Sequence, residues 1–415
     1  MFNKILFCSL FLLIFLITWK QDLNAKTSRN AKEVQVDSIS IFAWEPPANP
    51  KTWKNCKVPT DSIIAAIMRN EEILIDSCEI SGSLRLAGDT INGSIQILRS
   101  VLNGAVSFAD CYFMKKVRFV EDTLKRDINF YEVIFNQDVN FSGSIFRESA
   151  SFNYSTFRGS TFFSNATFDT SIIFVQSKFL ENAWFQHTIF GGDAYFIYTD
   201  FGGWVDFLGA TFKREVSMLS VEFSNIFISW EQLKGHLVGY PSDHSQFIRK
   251  FEENRQFDDA DAVYLKMKRS ETARMKWNDA SKYIGYLMWV TCGYGVMPGY
   301  TILWSIGIVI FFAFFYILRF NSIKEIEKEL RYPRRPRVLR EVRNRFRKRL
   351  YDAFYFSVHT FIIGIVSDWY PTDNYLIKMG RIKFCKFRTL SMIEGVLGWV
   401  LLVLFVVTLT RKFIR

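Results

Sequence analysis

The chain has 415 residues, 49% of them hydrophobic, with 52 Lys and Arg against 41 Asp and Glu and a formal net charge of +11. That length accommodates two or three domains. The 43 phenylalanines exceed what an ordinary mixed core uses, so they must come from a pattern. The charge is just as uneven: residues 319–349 hold thirteen Lys and Arg against four Asp and Glu, and the remainder is close to neutral. One basic block beside an apolar run is juxtamembrane in character, and it argues against nucleic acid as a partner. Only four histidines occur, His187, His236, His244 and His359, all well separated. With no nucleophile elbow, metal-ligand cluster or phosphate-binding glycine loop, the chain is expected to be neither an enzyme nor a carrier of a metal or cofactor.

Lys4 followed by the apolar run 5–19 and by Leu23-Asn24-Ala25 reads as a secretory signal over residues 1–25, which would export the chain beyond it. An uncleaved membrane anchor is the other reading. Cys8 lies in this segment. Cys56 and Cys78 either pair in an oxidising compartment or remain buried thiols. Residues 26–74 are expected to form an N-terminal cap, with Pro59-Thr60-Asp61 opening a short helix that ends near Asn70.

Over residues 75–225 large apolar residues recur at alternating steps of five and six. One series passes through Phe108, Phe119, Phe130, Phe141 and so on to Met218. The other passes through Phe113, Leu124, Phe135, Phe146 and so on to Phe223. Of the 22 positions on this grid from 108 onward, only Leu124 and Met218 are not Phe, which establishes a repeat. On a helix a five-residue step turns by about 140° and would scatter the rings around the surface. Two residues before the first series stand aliphatic or small residues such as Val117, Ile128 and Ala150; before the second stand Cys111, Ser144 and Ser155. A shared face at a spacing of two is strand geometry, and the intervening Ser, Asn, Asp and Gly favour turns. The unit thus reads aliphatic-x-Phe, turn, small-x-Phe, turn.

This unit resembles the pentapeptide-repeat family. The resemblance implies a mainly β fold, a right-handed four-sided β-helix with one large and one small residue of each short repeat inside. The alternation of five with six departs from the family pattern and predicts about 22 residues per coil and roughly seven coils. Some members imitate DNA with an acidic surface. This repeat is not strongly acidic, so a rigid spacer or a contact surface for a protein partner is expected instead.

Residues 226–298 form an α-helical linker, with helices at 230–237, 245–257 and 259–277, the last two as an antiparallel hairpin closing the end of the solenoid. Thr291-Cys292-Gly293-Tyr294-Gly295 looks like an ion-selectivity signature, but it precedes an apolar helix instead of lying between two, so it is read as a turn with Pro298 starting the helix. Residues 299–415 form the membrane module. Residues 300–318 carry no formal charge and are expected to span a membrane, as are residues 396–409 extended toward Met392. Between them, residues 351–366 are apolar but short, either a re-entrant helix or a buried amphipathic one.

Tyr355-Phe356-Ser357-Val358-His359-Thr360, with Gly364, Asp368 and Pro371 after it, resembles the pore helix and filter region of two-transmembrane potassium-channel domains. Ser391-Met392-Ile393-Glu394-Gly395-Val396-Leu397-Gly398 resembles the opening of their inner helix. The resemblance implies a homo-oligomer in lipid, conducting a monovalent cation, with Thr360, Gly364, Asp368 and Glu394 around a central axis and Glu394 bracing the short helix. The chain has Ile363-Gly364-Ile365-Val366-Ser367-Asp368 where such channels place Gly-Tyr-Gly, so potassium selectivity does not carry over. An exported solenoid places residues 319–349 in the cytoplasm, in accord with the positive-inside rule. The short helix then dips in from the cytoplasmic side, an arrangement that resembles ionotropic glutamate receptors. A non-conducting envelope scaffold that uses its β-helix as an interaction surface is the alternative.

Overall fold

A computed structural model describes residues 49–239, 241–318, 323–325, 340–364, 369–371, 375–379 and 382–413. The expected signal segment, most of residues 319–339 and Asp368 lie outside the described residues. From Pro50 onward the chain forms one compact unit.

Short parallel strands stack on one another at intervals of 22 residues. Val117 lies opposite Val139, Leu124 opposite Phe146, Ile128 opposite Ala150 and Tyr112 opposite Ile134. Each turn therefore contributes four strands to four ladders, and the whole is a parallel β-solenoid of about nine turns. The expected repeat length holds. The ladder is longer than seven turns because pairing begins at Lys51–Lys54 and ends at Leu237–Val238, where the sequence pattern has already faded. In the first turn, helix α1 (Thr60–Met68) stands where later turns place two strands. It turns Ile63, Ala66 and Ile67 into the core.

Both Phe series point inward. Phe130, Phe152 and Phe174 stack at 5.1 and 5.0 Å between ring centroids, and Phe157 stacks on Phe179 at 4.5 Å. Across the core Phe141 meets Phe152 edge-on at 5.6 Å, so faces and edges alternate as the ring quadrupoles prefer. The small inner residues also have work at the corners. Hydroxyls of Ser144, Ser155, Ser177, Thr188 and Thr199 donate to the carbonyls of Phe119, Phe130, Phe152, Phe163 and Phe174, at 2.5–2.8 Å. An alanine there would remove the hydroxyl's bond to the carbonyl, which in Phe152, Phe163 and Phe174 also accepts a backbone N–H.

The far end of the rod is closed by helices. Helix α2 (Trp230–Leu233) is shorter than expected, because Leu237 and Val238 join the last ladder as a strand. Helices α3 (Pro241–Glu253) and α4 (Phe257–Arg274) form the expected hairpin, and Phe247, Phe251, Ala260 and Val263 continue the core. Their polar side chains reach the exposed strand carbonyls: Lys250 donates to Ser224, Asn254 to Ile226, Gln256 to Ile228 and Lys266 to Leu237. An open strand edge is thereby satisfied and hidden. Helix α5 (Ala280–Cys292) was not expected. It ends at Gly293 in the left-handed conformation, and a short turn over Gly293–Gly295 leads to helix α6 (Pro298–Leu318). Helices α7 (Arg340–Ile363) and α8 (Phe387–Phe413) complete the described chain. Two helical stretches, Pro298–Ile317 and Arg388–Lys412, are long and apolar enough to cross a membrane.

Candidate functional site

Helices α6, α7 and α8 pack against one another around a polar cluster with an apolar surround. Each helix contributes one member. The Tyr316 hydroxyl from α6 donates to Oε2 of Glu394 on α8 at 2.6 Å. Ser357 on α7 shares a short hydrogen bond with Glu394 Oε1 and reaches the Val309 carbonyl of α6 at 2.9 Å. All three side chains are fully buried. Phe312, Ala353 and Phe356 close one side, and Val309, Phe361 and Leu401 form a second apolar contact next to it. Buried polar groups in so apolar a setting are costly unless paired, so this cluster locks three helices in one register.

The crossing of α7 and α8 is unusually close. A Cβ on Gly398 would lie 2.0 Å from the Phe361 carbonyl oxygen, so only glycine fits. One turn earlier, a Cβ on Gly395 would sit 3.5 Å from the Gly364 Cα and 3.6 Å from the Thr360 carbonyl, in ordinary contact. Gly364 has φ +82°, and its N–H donates to the Thr360 carbonyl at 2.9 Å as α7 ends.

Of the four expected site residues, Thr360, Gly364 and Glu394 thus meet at one helix junction. Thr360 is buried, and the Glu394 carboxyl is used up between helices of its own chain. Asp368 lies outside the described residues. Tyr316 and Gly398 were missed as functional positions. Nothing marks Tyr316 among the aromatics of its helix, whereas the glycine pair Gly395 and Gly398, three apart on an apolar helix, is a sequence-level signal of close packing.

The apolar part of α7, from Tyr351 to its end at Ile363, is short. Its Ala353 and Phe356 lie by Tyr316 near the end of α6, and its Phe361 lies by Val309 and Leu401, near the middles of α6 and α8. There the helix stops. Strand Trp369–Pro371 pairs antiparallel with Ile323–Glu325, the strand that follows α6. The opposite ends of the long helices touch the linker. Arg411 of α8 covers the Tyr264 ring at 4.1 Å and pairs with Asp261 at 3.7 Å, while Trp304 of α6 donates to the Val290 carbonyl of α5.

These features define a class: a parallel β-solenoid carrying a helical module with two apolar helices of membrane-spanning length. Within the solenoid, residues 141–188 and 174–221 match the family model of Pentapeptide repeats (9 copies), so this part of the chain consists of pentapeptide repeats. Comparison with curated proteins and with solved structures gave no match. No match to a channel family accompanies the likeness of the C-terminal helices to potassium-channel domains.

Proposed function

We propose that this is a membrane-anchored pentapeptide-repeat protein whose C-terminal helices assemble as an oligomeric, cation-conducting pore with a degenerate filter, beneath a right-handed four-sided β-helix exported from the cytoplasm. One observation carries the reading. Helix α7 runs only as far as the middle of α6 and α8, and the chain then returns to the strand that follows α6. Non-helical backbone at membrane depth is tolerated where it is buried in protein or lines a water-filled cavity. The C-terminal end of a helix that stops at that depth also presents a negative dipole end, which favours a cation there. Thr360 and Gly364 stand at that end, and Glu394 with Tyr316 and Ser357 holds it in place.

The exposed apolar face of α5 supports the membrane setting. Tyr283, Ile284 and Leu287 face outward on a helix that leads through a short turn into α6, as a helix lying at a lipid interface does. The scaffold alternative draws on exposed aromatic pairs along the rod, Tyr131 with Tyr154 at 5.4 Å and Trp204 with Phe227 at 5.7 Å, as contacts for a protein partner.

Cation flux into liposomes bearing the purified full chain tests the proposal. Flux is expected from an oligomer, reduced by Asp368→Asn and largely kept by Glu394→Gln, whose amide preserves the contacts to Tyr316 and Ser357. A monomer in mild detergent that passes no cation would leave the scaffold reading in its place.

A further inference from the structure

The first two turns of the solenoid hold two cysteines in one column. Cys56 precedes the strand Lys57–Pro59 and Cys78 precedes Glu79–Ser81. These strands pair in register, with Lys57 opposite Glu79 and Val58 opposite Ile80. The Glu79 N–H donates to the Cys56 carbonyl at 3.0 Å, which sets the two cysteine backbones side by side. Neighbouring strands lie about 4.8 Å apart, within the Cα separations of roughly 4.4–6.8 Å that disulfides span. The two Sγ atoms are 3.5 Å apart, so side-chain rotation alone can bring them to bonding distance. Cys56 is exposed and Cys78 is buried. An incoming oxidant therefore meets Cys56 first, and Cys78 stands behind it as the resolving thiol.

We propose that Cys56 and Cys78 are a disulfide site that staples the first turn of the solenoid to the second. The Cys56 thiolate attacks the disulfide of a thiol oxidoreductase or of oxidised glutathione. One thiol of that reagent departs, and a mixed disulfide remains on Cys56. Cys78, deprotonated in turn, attacks the Cys56 sulfur and expels the second thiol. The protein loses two thiol protons and two electrons, and the reagent's disulfide becomes two thiols. The hydrogen bond from the Cys78 sulfur pushes the Cys56 thiol up from its ordinary range, so the first step is slow at neutral pH without a catalyst.

The position gives the bond a purpose. At the far end of the rod, the open strand edge is covered by α3 and α4. At this end the strands Lys51–Lys54 and Lys57–Pro59 have a ladder partner on one side only among the described residues. A terminal turn of a solenoid frays first, and a bond closing the loop between turns resists that.

The test uses the full chain in detergent, equilibrated with reduced and oxidised glutathione over a range of ratios at a pH of about 8.5, near the thiol range. The products are then alkylated, digested and weighed by mass spectrometry. The expected product is a linked Cys56–Cys78 peptide pair about 2 Da lighter than its two thiol peptides, with amide exchange of the first two strands slowed about tenfold. The Cys78→Ser variant is expected to trap glutathione on Cys56. A Cys78 that stays alkylatable at the most oxidising ratio overturns the proposal, as does failure of Cys78→Ser to trap the mixed disulfide. The redox state in protein taken from cells tests something else: a bond that forms in vitro but is absent there counts against export and leaves the staple standing.

Discussion

Asp122 sits in a column of small inner residues, between Ser100 in the turn before and Ser144 in the turn after. Its Oδ1 accepts the Ser100 N–H at 2.6 Å, but no hydrogen-bond partner among the described residues reaches Oδ2. Burial pushes its carboxyl well above the usual carboxylate range, against a smaller opposing effect of that backbone hydrogen bond. A folded-state value above the unfolded one means that the site favours folding fully only below the unfolded value. That contribution is lost as pH rises through the folded value. Serine at this position would take the Ser100 N–H as Ser144 takes the N–H of Asp122, at 2.9 Å, and would leave no buried charge. Asp122→Ser is therefore expected to stabilise the solenoid by about 1–3 kcal/mol near neutral pH. The gain should shrink as pH falls toward 4, in thermal or denaturant unfolding followed across that range. A gain independent of pH would mean that the carboxylate is not its source. The Phe columns were fully legible in the sequence, because one residue type repeats at fixed intervals. The left-handed corners two residues after each Phe of the first series were legible only in part. Asp110, Gly143 and Asn165 favour that conformation, but Glu121, Tyr154 and Gln176 occupy it with φ between 54 and 60°, and none of these three residue types signals it.

Among the elements, those that follow a period were readable and those that break one were not. The two apolar helices and the α3–α4 hairpin appear where hydrophobic spacing places them. Helix α5 does not show in the sequence pattern because its outward face is as apolar as its inward one, so no stripe stands out. The strand Leu237–Val238 is not legible, because two residues carry no periodicity; only the ladder beside it makes it a strand. In the helical module the decisive element contact is the α7–α8 crossing, where a Cβ on Gly398 would collide with backbone and one on Gly395 would rest in ordinary contact with it. Gly398→Ala is thus expected to force the helices apart, at a cost of about 1–3 kcal/mol. Gly395→Ala should be nearly neutral. Thermal unfolding of the full chain in detergent separates the two, and equal effects would argue against a crossing this close.

The whole molecule has two ends, and the contacts of its long helices tell them apart. The start of α6 and the end of α8 both rest on the linker that closes the solenoid, through Trp304 with Val290 and Arg411 with Asp261 and Tyr264. The other end of α6 leads into residues 319–349, with thirteen basic and four acidic residues, which include Ile323–Glu325 and the start of α7. If both long helices cross a bilayer, the solenoid and the basic segment must lie on opposite sides. Charge then decides which is which, because short basic loops are retained in the cytoplasm. In a chain otherwise free of cysteine, single cysteines at Lys213 on the solenoid and at Lys412 near the end of α8 should react with an impermeant maleimide in sealed right-side-out vesicles. One at Lys324 should react only once the vesicles are opened. Labelling of Lys324→Cys alone would invert the molecule and place the rod in the cytoplasm. Labelling of all three positions in sealed vesicles would mean that neither long helix crosses the bilayer, and the pore would fall with that result.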